Sequence, residues 1–322
     1  MKAIRFARTG GVEVLELDDI ALPPPRSGEV RIRHTAIGLN FIDTYQRSGL
    51  YPLPLPSGLG LEAAGVVEDV GENVATLSKG DRVAYAGTIG SYAEANNVPA
   101  DRVVKLPAGI SDETAAAALL KGMTAQYLLK RTYMVKPGET IVFHAAAGGV
   151  GLIACQWAKH TGAVVIGTVG SDEKTALASE NGCAHVLNTR AGNWSARVRE
   201  ITDGNGVPVV YDGIGKDTFM ASLDCLAVRG MLVSFGNASG PVPAFEPGIL
   251  SAKGSLYLTR PTLFHYTRSR RELQETAEDL FAVIQSGAVK IAIHQRFPLA
   301  KAREAHEALQ SRATTGATLL IP

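Results

Sequence analysis

Ala146, Gly148 and Gly151 are spaced as small residues are where a chain bends tightly around a phosphate. The run Thr140-Ile141-Val142-Phe143 before them is apolar and β-branched, and Leu152 to Cys155 after them resumes at helical spacing. The stretch therefore reads as strand, tight turn, helix. With Gly151 as the last position of the dinucleotide pattern, the form is A-x-G-x-x-G. Gly148 lets a backbone approach a pyrophosphate, Gly151 lets helix and strand pack closely, and the helix N-terminus, over Gly149 and Val150, turns its N–H groups toward anionic oxygens. A Gly/Ala-rich bend packed for steric reasons fits the same residues, so the surrounding elements must decide.

Up to about residue 120 the chain reads as β-rich. Val12-Glu13-Val14, Val30-Arg31-Ile32-Arg33 and Asp101-Arg102-Val103-Val104 alternate between proline and glycine punctuation, as short strands of a partly open barrel do. The glycine-spaced run Gly60 to Gly71, followed by Gly80-Asp81-Arg82-Val83, has no helix pattern after it, so its glycines mark bulges or close backbone approach. Ser111 is placed to cap a helix that includes Ala115 to Leu120 and continues toward Leu129, with Lys121-Gly122-Met123-Thr124 as an expected interruption and interdomain hinge.

After the glycine turn, strands and helices alternate. Val164–Val169, His185–Asn188, Val209–Asp212, Leu232–Phe235 and Ser255–Leu258 read as strands, separated by helices over Glu173–Asn181, Trp194–Thr202 and Thr218–Leu226. With Thr140–Phe143 they make a doubly wound parallel sheet, which raises the turn well above an isolated motif. Beyond it, Leu273, Ala277, Leu280, Phe281 and Ile284 mark a helix face, Ala302 to Leu309 forms another helix, and Thr318 to Ile321 closes as a strand that belongs with the first domain. The expected organisation is a discontinuous β-rich domain, residues 1–122 and 263–322, around a nucleotide-binding domain, residues 123–262.

Composition excludes several classes of partner. A net charge of +1 over 322 residues shows no electrostatic footprint for nucleic acid or an anionic membrane. Three cysteines without a CxxC pair fit buried thiols in a reducing compartment and offer no zinc set. No signal core or membrane helix is visible, so a cytoplasmic protein acting on small molecules is expected. Tyr45 and Tyr51 flank a loop and offer aromatic lining for a flat ligand, with core packing as the competing reading.

The nucleotide is legible at the end of the second strand of the sheet. Val169-Gly170-Ser171 carries no carboxylate at the strand tip, where an acid would hold a ribose 2′-OH. Lys174, one helical turn on, is placed to meet a 2′-phosphate, while Asp172 and Glu173 are expected to face solvent at a helix start. NADPH is therefore expected over NADH.

Asn40-Phe41-Ile42-Asp43-Thr44-Tyr45, Gly60 to Gly71, Lys121 to Thr124, His144 to Gly151, Ser234-Phe235-Gly236-Asn237, Thr259-Arg260-Pro261 and Ser311 to Thr314 together resemble the zinc-free quinone oxidoreductase branch of the medium-chain dehydrogenase/reductase superfamily, the zeta-crystallin-like family. The resemblance runs essentially the whole length. It implies an α/β architecture with a GroES-like catalytic domain, a Rossmann domain, a cofactor cleft between them and a homodimer formed through the Rossmann sheet. It further implies that Phe41 to Tyr45 lie against the nicotinamide and that Gly148 to Gly151 hold the pyrophosphate. Gly170, Ser171 and Lys174 would surround the adenosine ribose. Tyr127, Gly213, Phe235 to Asn237 and Leu258 to Arg260 would complete the nucleotide site, with Arg312 as a late cofactor-side arginine. Thr189 stands where close relatives often have a tyrosine near the 2′-phosphate, which bears on the strength of the NADP preference. Asn40 and Leu61 occupy places that carry zinc-site residues in metal-dependent members, and Glu62 alone makes no metal site.

A quinone ring is already electrophilic, and the phenolate-like oxygen left by hydride addition, with a pKa of about 10, needs no Lewis acid. Positioning is then the main task. Asn40 and Tyr45 are expected to orient nicotinamide and acceptor, Tyr51 to line or lid the site, and Thr124 to supply a hydroxyl near the cofactor. An NADPH-dependent reductase of activated C=C bonds uses the same cofactor chemistry and is the enzymatic alternative. An NADPH-binding structural or RNA-binding protein is the alternative of another class.

Overall fold

The computed structural model describes residues 1–312 and 314–322; Ala313, within the stretch Ser311 to Thr314, lies outside the described residues. The chain forms two compact units, one of Met1–Met123, Thr267–Gln285 and Ile291–Pro322, the other of Thr124–Tyr266 and Ser286–Lys290. The chain thus returns to the first unit at Thr267 and not at residue 263. Residues 263–266 stay with the second unit, where Tyr266 stacks on Tyr127 with ring centroids 4.5 Å apart. Residues 286–290 rejoin it through Gln156, which donates to Lys290 O at 3.1 Å and accepts from Lys290 N at 2.9 Å.

The first unit begins with strands β1 (Lys2–Phe6), β2 (Glu16–Asp19) and β3 (Glu29–Leu39), then helix α1 (Phe41–Ser48). Strands β4 (Ser57–Gly58), β5 (Glu62–Val70), β6 (Arg82–Ala86), β7 (Ala95–Pro99) and β8 (Val103–Lys105) follow, and helix α2 spans Asp112–Tyr127. Val12–Val14, expected as a strand, is a 3₁₀ turn: Val14 N and Leu15 N bond Gly11 O and Val12 O, and the Glu13 carboxylate folds back onto Gly11 N at 3.0 Å. Asp101 and Arg102 likewise lie in a 3₁₀ turn, leaving Val103 and Val104 to the strand. Strand β3 is the spine, pairing with both β5 and β7, and its pairing sets Gly38 opposite Glu62. At Gly65 a Cβ would lie 2.0 Å from Arg33 O, the close approach read from the glycine run. Ile32, Ile37, Val67, Val83, Tyr85 and Val103 share the apolar core behind this sheet.

Helix α2 starts at its Ser111 cap, whose Oγ accepts from Thr114 N at 3.1 Å. It runs unbroken through Lys121 to Thr124, where an interruption was expected, and a π-helical turn over Leu128–Thr132 ends it. Gly122 is there for packing: a Cβ would meet Leu280 Cδ1 at 2.3 Å.

The second unit carries β9 (Thr140–Phe143), α3 (Gly149–His160), β10 (Val164–Val169), α4 (Thr175–Glu180), β11 (Cys183–Asn188) and α5 (Trp194–Ile201). It continues with β12 (Val207–Asp212), α6 (Phe219–Asp224), β13 (Leu226–Ser234), α7 (Gly248–Ala252), β14 (Tyr257–Thr259) and α8 (Leu263–Tyr266). The sheet order is β11-β10-β9-β12-β13-β14, with every pair parallel. Strand order reverses at β9, which places a ligand crevice outside the carboxyl ends there. Val142, Ile166, Val210, Leu226 and Leu232 form the apolar core around this sheet. Cys155, Cys183 and Cys225 are buried free thiols.

Back in the first unit come α9 (Arg270–Gln285), β15 (Ile293–Pro298), α10 (Ala302–Gln310) and β16 (Ala317–Ile321). Strand β16 runs antiparallel to β3, Thr318 opposite Leu39, which closes the discontinuous unit. Strand β15, parallel to β16, is absent from the sequence reading because its half-buried alternation lacks flanking glycines. No helix among the described residues is long and apolar enough to cross a membrane.

Candidate active site

The second unit gathers its expected site residues at the carboxyl ends of its strands. After β9 the chain turns through Ala145, at φ 53°, with Gly148 N bonding Ala145 O at 2.8 Å and Ala146 N bonding Thr168 O at 2.9 Å. Helix α3 then begins at Gly149, so the N–H groups of Gly149, Val150 and Gly151 lie in its first turn, where an α-helix leaves donors without intrahelical partners. A Cβ at Gly151 would stand 2.2 Å from Ala145 O, and one at Gly148 3.1 Å from the same oxygen. Both glycines keep open a cradle that a side chain would fill, which is the fit a diphosphate requires. His144 behind it is a satisfied buried residue, its ring nitrogens 2.7 Å from Thr168 Oγ1 and 2.9 Å from Ser222 Oγ.

Around the cradle stand the ends of the neighbouring strands. Gly170 closes β10 with open space where its Cβ would be, and Ser171 leads into a 3₁₀ turn, Asp172–Lys174. Asp172 and Glu173 are exposed, as expected, yet each is engaged: Asp172 Oδ1 accepts from Asn188 Nδ2 at 2.9 Å, and the Ser171 hydroxyl holds the Glu173 carboxyl below its usual range. Thr189 Oγ1 donates to Val169 O at 3.3 Å. At β12 and β13, a Cβ on Gly236 would lie 2.4 Å from Gly213 O, and the Phe235 ring sits 5.8 Å from Phe143. Arg260, just after Leu258 and Thr259 of β14, donates to Gly236 O at 3.0 Å and Ser234 Oγ at 3.2 Å. The Asn237 amide, oriented so that both its ends are satisfied, accepts from Arg260 Nη2 at 3.1 Å. Tyr127 is buried beneath Tyr266, and Thr124 is buried one turn earlier on α2.

The first unit gathers around α1 the residues expected on the acceptor side. Asn40 is buried at the end of β3 and donates through Nδ2 to Glu62 Oε2 at 2.8 Å. Its backbone N–H donates to Asp43 Oδ2 at 2.8 Å, an acidic clasp on the first turn of α1. Phe41 and Ile42 are half-buried, and Thr44 Oγ1 donates to Phe41 O at 2.7 Å. Tyr45 and Tyr51 meet edge to face with centroids 5.3 Å apart, and Phe41 lies 6.1 Å from Tyr45. Arg312 follows α10 with φ 60° and its N bonding Leu309 O at 3.1 Å.

Glu62, dismissed from the sequence as a lone carboxylate, is the pivot of this region. It is fully buried and accepts from Asn40 Nδ2, Leu120 N at 2.6 Å and Lys121 Nζ at 3.1 Å. A Cβ at Gly38 would lie 2.2 Å from Glu62 Oε2, so glycine makes room for the carboxylate. Tyr92 and His306 were not singled out at all, although both are buried and bonded toward α1. A fully polar residue inside an apolar strand run was the available signal for Glu62; none existed for His306, on an ordinary amphipathic helix.

Comparison with known proteins shows the family. The family model for alcohol dehydrogenase GroES-like domains matches residues 26–108, and that for zinc-binding dehydrogenases matches residues 149–284. A Pseudomonas aeruginosa quinone oxidoreductase is 56% identical over 100% of this chain and 99% of its own. The chain belongs to the quinone oxidoreductase family of the medium-chain dehydrogenases/reductases. Within that family, the solved structure of Escherichia coli quinone oxidoreductase complexed with NADPH superposes with a TM-score of 0.99 at 52% identity, covering 100% of both chains. A Burkholderia 2-haloacrylate reductase is 43% identical over 98% of this chain and 97% of its own. Among the described residues, no group of three or more His, Cys, Asp or Glu side chains is placed to hold a metal ion.

Proposed function

We propose that the protein is an NADPH-dependent quinone reductase that works without zinc. The observation that carries this reading is the glycine cradle at the start of α3, in a chain whose family includes a quinone oxidoreductase solved with NADPH. Bound NADPH supplies hydride from its nicotinamide ring. The first-turn N–H groups of α3 would hold its diphosphate, and Lys174, with Ser171, Gly170 and Thr189, its 2′-phosphate. Gly213, Phe235 to Asn237 and Leu258 to Arg260 would wall the nucleotide, with Tyr127 and Arg312 beside it. Asn40 and Tyr45, with Phe41 to Thr44 behind them, orient nicotinamide and acceptor, Tyr51 lines the acceptor side, and Thr124 offers a hydroxyl.

What surrounds Glu62 supports the zinc-free reading. Its carboxylate already has an ammonium and two N–H donors, the neighbouring place is an amide, and no thiol occurs in the first unit. A stoichiometric zinc content with chelator-sensitive turnover overturns this part. We further read the protein as a cytoplasmic homodimer with the domain limits of its two units. The edge strand β14, with Tyr257 58% exposed, offers that assembly a surface.

Turnover of NADPH with 1,4-benzoquinone, set against a panel of small enones, tests the function. Faster turnover of the quinone is expected. Preference for enones gives the activated-alkene reductase, and binding without turnover gives the structural or RNA-binding protein.

A further inference from the structure

Four buried side chains join α1 to α10 by hydrogen bonds whose direction is fixed from one end. Arg47 offers only N–H groups, and its Nη1 lies 3.1 Å from His306 Nδ1, so Nδ1 carries no proton and accepts. Burial keeps this imidazole neutral, pushing its pKa down to about 3, so its one proton is on Nε2. Nε2 lies 3.0 Å from Tyr92 Oη and donates to it. The phenol, itself held protonated by burial, then donates to Asp43 Oδ2 at 2.9 Å. That same oxygen accepts Asn40 N–H at 2.8 Å. Asp43, Tyr92 and His306 are 0% exposed and Arg47 2%.

We propose that this one-way relay, Arg47 to His306 to Tyr92 to Asp43, makes His306 and Tyr92 positioning residues that hold Asn40 and the first turn of α1 through the charge on Asp43. It rests on the functional reading only in taking α1 as the segment beside the nicotinamide. Five groups face or influence Asp43: Tyr92 directly, His306 behind it, Arg47 on the same helix, Glu62 from β5 and Lys121 from α2. Burial pushes the Asp43 carboxyl up to about 7, Glu62 adds to the rise, and Asn40 N–H, Tyr92 and Lys121 oppose it. Its Oδ1 has no hydrogen-bond partner among the described residues, which fits a group poised between charge states. Ionised, Asp43 accepts both bonds strongly; protonated, it holds Asn40 less firmly. The grip on α1 therefore weakens as pH falls through about 7.

The decisive measurement uses the unsubstituted protein without cofactor, by NMR on ¹⁵N-histidine and carboxyl-¹³C-aspartate labels. The relay requires one bare and one protonated ring nitrogen in His306 between about pH 5 and 8, and an Asp43 carboxyl that titrates near 7. Two protonated nitrogens, or a carboxylate still ionised at about pH 5, overturn it. In Tyr92→Phe the lost donor moves the Asp43 midpoint up by about one to two units. His306→Leu moves it up as well, whereas His306→Gln, with an acceptor for Arg47 and a donor for Tyr92, restores it. The acid limb of kcat/KM follows these midpoints and disappears in Asp43→Asn; a limb unmoved in all of these variants also overturns the relay. Because the spectra are read with no cofactor or acceptor present, failure of quinone turnover and failure of the relay are separate results.

Discussion

Lys121 Nζ lies 3.1 Å from Glu62 Oε2, with the two side chains 7% and 0% exposed. Removing one partner of such a pair leaves an uncompensated buried charge, so Lys121→Met is expected to cost about 3–5 kcal/mol. Combining it with Glu62→Gln recovers most of that loss, because the charge that needed the ammonium has gone. Urea unfolding of the two variants measures it; a single variant as stable as the parent contradicts the role given to Lys121.

Gly151→Ala drives a Cβ to 2.2 Å from Ala145 O, a backbone atom that cannot step aside. The cradle has to open, and NADPH affinity is expected to fall by about 100-fold, the scale of an ångström-sized misplacement. Gly248→Ala, with nothing within 4 Å of its added carbon, serves as the control and changes affinity by less than about twofold. Titration by cofactor fluorescence reads both.

Lys174→Ala is expected to reduce the ratio of kcat/KM for NADPH over NADH by about five- to tenfold, the worth of one half-buried cation on a phosphate. NADH turnover changes little, since it lacks the 2′-phosphate. An unchanged ratio removes Lys174 from the nucleotide site.

Tyr45→Phe keeps the ring against Tyr51 and removes only the hydroxyl, so activity is expected to fall by less than about tenfold. A loss near 10⁴, typical of an essential acid or base, would make Tyr45 the proton donor instead. Steady-state turnover with benzoquinone decides between them.

Stability is expected to rise with pH between about 4 and 6.5. Burial depresses His34 to about 4 and His306 to about 3, so across that window the unfolded chain binds protons that these folded histidines refuse. Asp43, raised to about 7, works the other way, its folded form keeping a proton that the unfolded form releases. His144, whose pKa burial also lowers, adds to His34 and His306, so the histidines outweigh the one carboxyl and the net slope is positive. Above about 6.5 the histidine contribution is complete and Asp43 alone lowers stability as pH rises through 7. Urea midpoints across this range, in the parent and in His34→Gln, test the sign; a flat profile contradicts it.

The nucleotide-side unit was legible because its signals are local. A β-branched run, a glycine turn and a helical period lie within a few residues of each other around Gly148, and the pattern repeats along the sheet. Boundaries slipped where side chains compete with backbone: Glu13 folding onto Gly11 N turned an alternating triplet into a 3₁₀ turn. Gly122 looked like a break because its packing partner, Leu280, is far off in sequence. The same distance hid the polar interior of the first unit, where Arg47 and His306 meet across 259 positions. Glu62 was visible as a residue and illegible as a hub, since its three donors come from two other elements.

Every sulfhydryl of this protein is sealed inside the nucleotide-side unit; burial lifts Cys225 to about 12, and the hydrogen bond with Cys183, together with burial, lifts Cys155 well above its ordinary value. Only the deprotonated sulfur is a good nucleophile. Benzoquinones alkylate such sulfur readily, so a catalyst bathed in them survives many cycles when it presents none. Placing all three cysteines out of reach gives this reductase tolerance to its own electrophile, at no cost in hydride chemistry.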